Sequence, residues 1–312
     1  MQNLRMRSIG LIAAGSLILF STGCPDDDVE EYEVELAGEN QVPPVATPAS
    51  GTMDVEFDEE DETLRVEGDF DGLVSRLIEI EGSAAHIHFA PQGESGPILW
   101  NVDVDADEDE RGGSFEFERE LTADEVETFQ NNEMYLNIHT QAYPDGELRG
   151  QLDEGAPTFA SIDQSWGVEL TPEAHVHAVD TEAQGWAWAI LRDDDTMVVS
   201  GAADNLSSAP TDVFGSAVNI EEAPQGEVGD LVLNLDYETI DDTALRFWQE
   251  TTLDEDQIEV LRDGGYYINL YTDEQEAGEL RGQLDEEDDF FQEFWEDIFD
   301  DDPDRIDEVP PF

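Results

Sequence analysis

Apolar residues recur at every second position in short runs along the chain. Met53, Val55 and Phe57 alternate with Thr52, Asp54 and Glu56, and similar runs cover Thr63 to Val66, Phe115 to Phe117 and Met134 to Thr140. Gly, Pro and Asp punctuate them. A period of two puts successive side chains on opposite faces of an extended backbone, so these runs predict short strands with one face in a core. Frequent turn signals between such strands predict an all-β fold of antiparallel β-sandwich type. Two segments break the pattern. Thr122 with Glu125 forms a capping box ahead of Val126 and Phe129, and Asp254 with Gln257 does the same ahead of Ile258 and Leu261, before a stop at Gly264-Gly265. Each predicts one short helix.

The pattern is written twice. Val34-Glu35-Leu36, Glu39, Val42, Val45, Thr47, Ala49 and Gly51 return 134 positions later as Val168-Glu169-Leu170, Glu173, Val176, Val179, Thr181, Ala183 and Gly185. Ala90-Pro91-Gln92-Gly93 returns as Ala223-Pro224-Gln225-Gly226. Gly146 to Leu152 (GELRGQL) returns as Gly278 to Leu284, the offset having slipped to 133 and then 132. A period this long is a tandem domain duplication, since solenoid repeats run to roughly 20 to 50 residues. The expected organisation is a signal segment 1–23, an acidic tether 24–31, a first domain 32–153, a linker 154–164, a second domain 165–285 and a tail 286–312. In the tail Phe290, Phe291, Phe294, Trp295, Ile298 and Phe299 have helical spacing among acids, which predicts a weakly ordered amphipathic helix.

What both copies keep is expected to be scaffold, and what one copy drops is a candidate for function. His86-Ile87-His88 becomes Asn219-Ile220-Glu221, and His139 becomes Tyr271, whereas Asn137/Asn269, Thr140/Thr272 and Arg149/Arg281 persist. On a strand His86 and His88 share a face, about 6.6 Å apart along the chain, opposite Ala85, Ile87 and Phe89. His139 shares its strand's face with Tyr135 and Asn137. If the two strands are neighbours, three imidazoles meet on the outer face of a sheet. Three neutral imidazoles with a fourth position open suit zinc, and imidazole suits copper equally. The competing expectation is three hydrogen-bonded histidines on a solvated surface. His175 and His177, at the positions of Gln41 and Pro43, read as loop residues. Arg149 and Arg281 read as structural ion-pair partners of acids such as Glu35 and Glu169, and Asn137 and Asn269 as structural.

Charge narrows the setting. The chain has 80 Asp and Glu against 12 basic residues, none of them lysine, for a formal charge of −68. Such a surface repels itself unless salt screens it, because the Debye length falls from about 10 Å at 0.1 M to about 3 Å at 1 M. A halophilic environment is expected, and nucleic acid and anionic membrane surfaces are excluded as partners. At the N-terminus, Arg5 and Arg7 precede an apolar run from Ile9 to Phe20 and then Ser21-Thr22-Gly23-Cys24. About a dozen apolar residues are too few to span a bilayer, so the segment reads as a secretory signal, and without a twin arginine Sec export is expected. It resembles a bacterial lipobox, with Ser21 where Leu is usual. That resemblance implies that Cys24, the sole cysteine, is the acylated first residue of a lipoprotein held at the cell envelope or surface, touching membrane through its lipid only.

Glu39-Asn40-Gln41-Val42-Pro43-Pro44-Val45, Ala85-His86-Ile87-His88, and Tyr135 to Thr140 running on to Gly146–Leu152 resemble the CHRD domain, the repeat named after chordin. The likeness covers nearly all of the first unit. The second resembles a divergent copy, with His177-Ala178 for Pro43-Pro44 and without the three histidines. This implies an extracellular β-rich module with no established enzyme activity. A fainter similarity connects the His-x-His strand and later histidine to copper/zinc superoxide dismutase, but the chain has no bridging histidine, no second metal cluster and no disulfide. The expected folds are thus two tandem immunoglobulin-like or superoxide-dismutase-like sandwiches.

Other motifs fall away. Asp103, Asp105, Asp107 and Asp109 imitate a calcium loop, but Glu108 stands where an EF-hand needs Gly and Ser114 where it needs Glu. No Gly-x-Ser-x-Gly, His-Glu-x-x-His or phosphate-binding Gly loop is present. The leading expectation is a non-catalytic binding or structural module, its extracellular or envelope ligand unspecified. The second is a metalloprotein holding copper or zinc on His86, His88 and His139.

Overall fold

The computed structural model describes residues 29–285. The signal, Cys24 and the aromatic tail lie outside them. Among the described residues no helix is long and apolar enough to cross a membrane.

The first unit contains β1 (Val29–Leu36), β2 (Ser50–Asp58), β3 (Thr63–Asp71), β4 (Ala85–Phe89), β5 (Ile98–Ala106), β6 (Gly113–Glu120), α1 (Ala123–Gln130), β7 (Met134–Ile138) and β8 (Leu148–Gln151). β1 takes in the last three residues of the expected tether. The strands run antiparallel in the order β1-β2-β3-β6-β5-β4-β7-β8. β5 turns the corner between two layers: Ile98 to Val102 pair with β4, and Asp103 to Ala106 with β6. At the far side Ala37 and Arg149 exchange backbone hydrogen bonds of 3.1 and 3.2 Å, which bring β1 against β8 and close the sandwich.

The second unit repeats the plan in β9 (Ile162–Leu170), β10 (Gln184–Arg192), β11 (Thr196–Asp204), β12 (Val218–Glu222), β13 (Asp230–Asn234), β14 (Asp236–Asp241), β15 (Ala244–Thr252), α2 (Glu255–Arg262), β16 (Tyr266–Thr272) and β17 (Gln275–Gln283). Here the corner strand is broken at the buried Leu235, leaving sheets β14-β15-β11-β10-β9 and β13-β12-β16-β17. Both helices carry the expected capping boxes, with Thr122 and Asp254 as N-caps. These satisfy backbone N–H groups that a helix start leaves free.

Each unit fills its own core with the inward half of the alternating strands. Met53, Val55, Phe57, Ile87, Leu136 and Ile138 are buried in the first, and Val168, Ala187, Val199, Ile220 and Ile268 in the second. Phe89, expected to join the first core, is 39% exposed at the end of β4.

A third apolar cluster joins the two units. Trp186, Trp188, Ile190, Val198 and Ala202, on the outer face of β10 and β11, pack against Val45, Ala46, Val74, Ala142 and Tyr143 of the first domain. By repeat position and strand register, that face in the first domain carries Thr52, Asp54, Glu56, Arg65 and Asp69. The unbroken apolar run from Gly185 to Leu191 reflects a strand covered on both sides. Beside the cluster, Arg192 forms a buried ion pair with Glu39 and donates to the Ala160 carbonyl.

Candidate metal centre

The two halves of the repeated sequence explain each other. The Arg149 guanidinium donates to the carbonyls of Glu94 (2.9 Å) and Pro91 (3.3 Å) and to Gln151 Oε1 (3.1 Å), and lies 3.5 Å over the Tyr135 ring. Arg281 repeats this on Glu227, Pro224, Gln283 and Tyr267. The expected carboxylate partners are therefore corrected. The side chains of Arg149 and Arg281 turn into the Ala-Pro-Gln-Gly loop and spend their donors on its carbonyls, while Glu35 accepts from the Phe159 N–H. Glu147 is fully buried in the same motif. It accepts from Thr47 Oγ1 (2.6 Å), Thr140 Oγ1 (2.7 Å) and Val74 N (2.9 Å), and burial raises its pKa to about 7. Gly146 has φ +127°, and a Cβ there would sit 2.1 Å from Asn137 Oδ1; Gly278 repeats the case against Asn269. No other residue fits.

On this frame β4 lies beside β7, with His86 opposite Asn137 and His88 opposite Tyr135. His139 follows β7 directly, its N–H bonded to the Ala84 carbonyl at 2.9 Å. The three rings do converge. Their centroids are 4.9 Å (His86–His139), 5.7 Å (His88–His139) and 5.8 Å (His86–His88) apart, and one ring nitrogen from each lies within 4.8 Å of the others. No carboxylate joins the group among the described residues.

The solvated-surface alternative is overturned by burial. His86, His88 and His139 are 0%, 7% and 3% exposed. Gln41, which follows the turn Gly38–Asn40, donates from Nε2 to Asn137 Oδ1 at 2.6 Å, on the residue that pairs with His86. Two rings are tethered through Nδ1. His88 Nδ1 sits 2.9 Å from the Gly96 carbonyl and His139 Nδ1 sits 2.8 Å from the Pro144 carbonyl. A carbonyl can only accept, so both Nδ1 atoms carry the proton and both Nε2 lone pairs are bare. Neither Nε2 has a hydrogen-bond partner; His86 makes no hydrogen bond of normal geometry, although the Ile80 backbone lies near enough to favour its protonated form.

Burial lowers the pKa of all three, that of His139 to about 3, with His86 and His88 adding to the effect and the Pro144 carbonyl opposing it. The rings are thus neutral at physiological pH. Neutral, tethered imidazoles with unspent lone pairs are the chemistry of a transition-metal site, and a backbone carbonyl on the second nitrogen is the usual way such rings are oriented. Ligand nitrogens around tetrahedral zinc stand roughly 3.4 Å apart, so the trio, within 4.8 Å of one another, must draw in by up to about 1.4 Å to close on an ion.

The calcium-like acids lie on β5 and the hairpin that follows it, where Asp107 N bonds the Gly112 carbonyl. His175 and His177 lie in the loop after β9, His177 exposed and His175 half-buried near Asn269. Sequence reasoning missed Gly96 and Pro144, which act through backbone carbonyls and leave no side-chain signature.

A family model of the CHRD domain matches residues 32–152 and again 166–284. The chain belongs to the CHRD family. Among curated proteins none matches it. The CHRD match falls on both sandwiches, so membership does not depend on the histidines that only the first copy retains.

Proposed function

We propose that this CHRD protein is an exported, lipid-anchored envelope protein of a salty environment, a non-catalytic binding module whose first domain holds one copper or zinc ion on His86, His88 and His139. Two observations carry the metal reading: one ring nitrogen from each of the three buried histidines lies within 4.8 Å of the others, and each ring keeps a buried nitrogen without a hydrogen-bond partner. Leaving buried acceptors unpaired costs roughly 1 to 3 kcal/mol each, and a metal ion is the ligand that three bare imidazole lone pairs satisfy together. With three protein ligands, a fourth position is open to water or to a donor from another molecule.

Family membership supports the non-catalytic part, and the absence of lysine with 80 acids supports the salty setting. Cys24 at a lipobox-like site supports the anchor. Metal analysis of the purified chain tests the reading: about one zinc or copper per chain in the wild type and none in His86→Ala/His88→Ala. Equal, negligible metal in both removes it. Mass spectrometry of the mature N-terminus is expected to find a lipid on Cys24.

A further inference from the structure

The loop that tethers His139 is itself built against the second domain. Between β7 and β8, Ala142 N bonds Ser75 Oγ at 2.8 Å, and Tyr143 N bonds Thr140 Oγ1 at 3.3 Å. The Tyr143 ring meets Trp186 edge-on, 5.3 Å between centroids and 87° between planes. Its hydroxyl donates to the Ala46 carbonyl (3.0 Å) and lies 3.4 Å from Ser200 Oγ, which in turn accepts from Ala46 N at 2.8 Å. The next residue, Pro144, supplies the carbonyl that holds His139 Nδ1. Asp145 then accepts from Asn137 Nδ2 through its carbonyl and from Arg246 of the second domain through its carboxylate, at 3.2 Å.

The corresponding loop of the second domain is different in both respects. Tyr143-Pro144 is replaced by Gln275-Glu276, Thr272 pairs directly with Gln275, and residues 276 and 277 are exposed. So the copy whose loop rests on a neighbouring domain has the histidines, and the copy whose loop is bonded only within its own domain, through Asp273 N to the Ala209 carbonyl and Glu274 N to Ser208 Oγ among the described residues, has a tyrosine in place of His139.

We infer that the second domain is a positioning wall for the metal centre: Trp186 and Ser200 fix Tyr143, which places the Pro144 carbonyl and so sets the tautomer and aim of His139. This rests on the metal reading for its consequence but not for its geometry. It gives the divergent copy a task, and it accounts for the exchange of charged for apolar residues on the outer face of β10 and β11.

The test uses the full chain. Trp186→Thr/Trp188→Asp restores the residues that the first domain carries at the same positions, where a folded sandwich tolerates them, and should part the domains in solution scattering. In the metal-free wild type, long-range proton–nitrogen spectra should show His139 as a single Nδ1–H tautomer. In the variant that signal should average between tautomers, and Zn2+ alone should bind 10- to 100-fold more weakly, the usual effect of removing an outer contact of a metal ligand. Parted domains with an unchanged His139 tautomer and unchanged Zn2+ affinity overturn the inference. Should that variant fail to fold, Ser200→Ala takes its place: a shifted His139 ring signal supports the wall, and a wild-type spectrum overturns it. A wild type that takes up no Zn2+, together with tautomer averaging in the variant, removes the metal reading and leaves the wall standing.

Discussion

At the place where the first domain gathers three imidazoles, the second gathers a carboxylate and two phenols. Glu221, at the position of His88, accepts from the hydroxyls of Tyr267 and Tyr271 and from Asn269 Nδ2 at 3.3 Å, and Asn269 also reaches Tyr271 at 2.9 Å. Burial and the Glu221 carboxylate push the Tyr267 hydroxyl up to about 12 and raise that of Tyr271 as well. Drift on a free surface would not have produced this. The substitutions at 221 and 271 complete one another's hydrogen bonds, while the β4/β5 register shift after Ile87 is kept as the β12/β13 shift after Ile220. The comparison teaches that the CHRD scaffold demands a filled polar pocket at this spot but not histidines. In the second copy Glu221, Tyr267, Tyr271 and Asn269 Nδ2 satisfy one another, and only the amide oxygens of Asn219 and Asn269 lack a hydrogen-bond partner. In the first, the inward ring nitrogens are left for something else.

The largest effect expected from breaking this contrast comes from exchanging the sets. His86→Asn/His88→Glu/His139→Tyr should abolish metal uptake, read by mass spectrometry of the native protein, with an unchanged far-ultraviolet spectrum. The reverse graft, Asn219→His/Glu221→His/Tyr271→His, should bind zinc 10- to 100-fold more weakly than the first domain, because Glu276, at the place of Pro144, lies on the strand β17 and not in a loop built to hold a ring. Equal affinity would show that the tether is irrelevant.

Glu221→Leu comes next. It leaves two buried phenols without their charged acceptor and should destabilise the second domain by roughly 3 kcal/mol in denaturant unfolding; the Tyr267→Phe/Tyr271→Phe/Glu221→Leu triple variant should recover most of that loss. The smallest effect concerns pH. Glu147 has its pKa raised to about 7 in the folded state against an ordinary value of 4.5. The folded protein therefore binds the proton more tightly, and this contribution is complete below about pH 4.5 and lost as pH rises through 7. The histidines act in the opposite sense. Their depressed folded values mean that the stability they contribute is present above about 6.5 and lost on acidification, toward 3 for His139. Subtracting the unfolding curve of Glu147→Gln from that of the wild type should isolate a term that falls between pH 4.5 and 7. A flat difference would show that Glu147 already ionises normally.

Much of this was legible beforehand. Alternation in runs such as Thr52 to Phe57 gives strands because a strand exposes every second side chain. The capping boxes at Thr122 and Asp254 give helix starts because only a side-chain acceptor there satisfies the first N–H groups. The three-histidine convergence followed from spacing plus the loss of all three in one copy. What stayed hidden was the burial of those rings, since alternation tells which face a side chain takes but not what comes to lie over that face. The environment of Arg149 was misread for a related reason: backbone carbonyls satisfy guanidinium as well as carboxylates do, and every residue has one.

By itself the chain of residues determined the duplication, the β architecture, the helix positions and the face that each histidine takes, because these depend on spacing within a few residues and on comparison of two copies. Tertiary structure decided which strands lie side by side, that Gly96 and Pro144 hold the rings, that Glu221 is answered by two tyrosines, and that Trp186 rests on the loop carrying His139. Those relations join positions from 5 to more than 40 residues apart, and hydrogen-bond direction and close packing exist only once the backbone has brought them together.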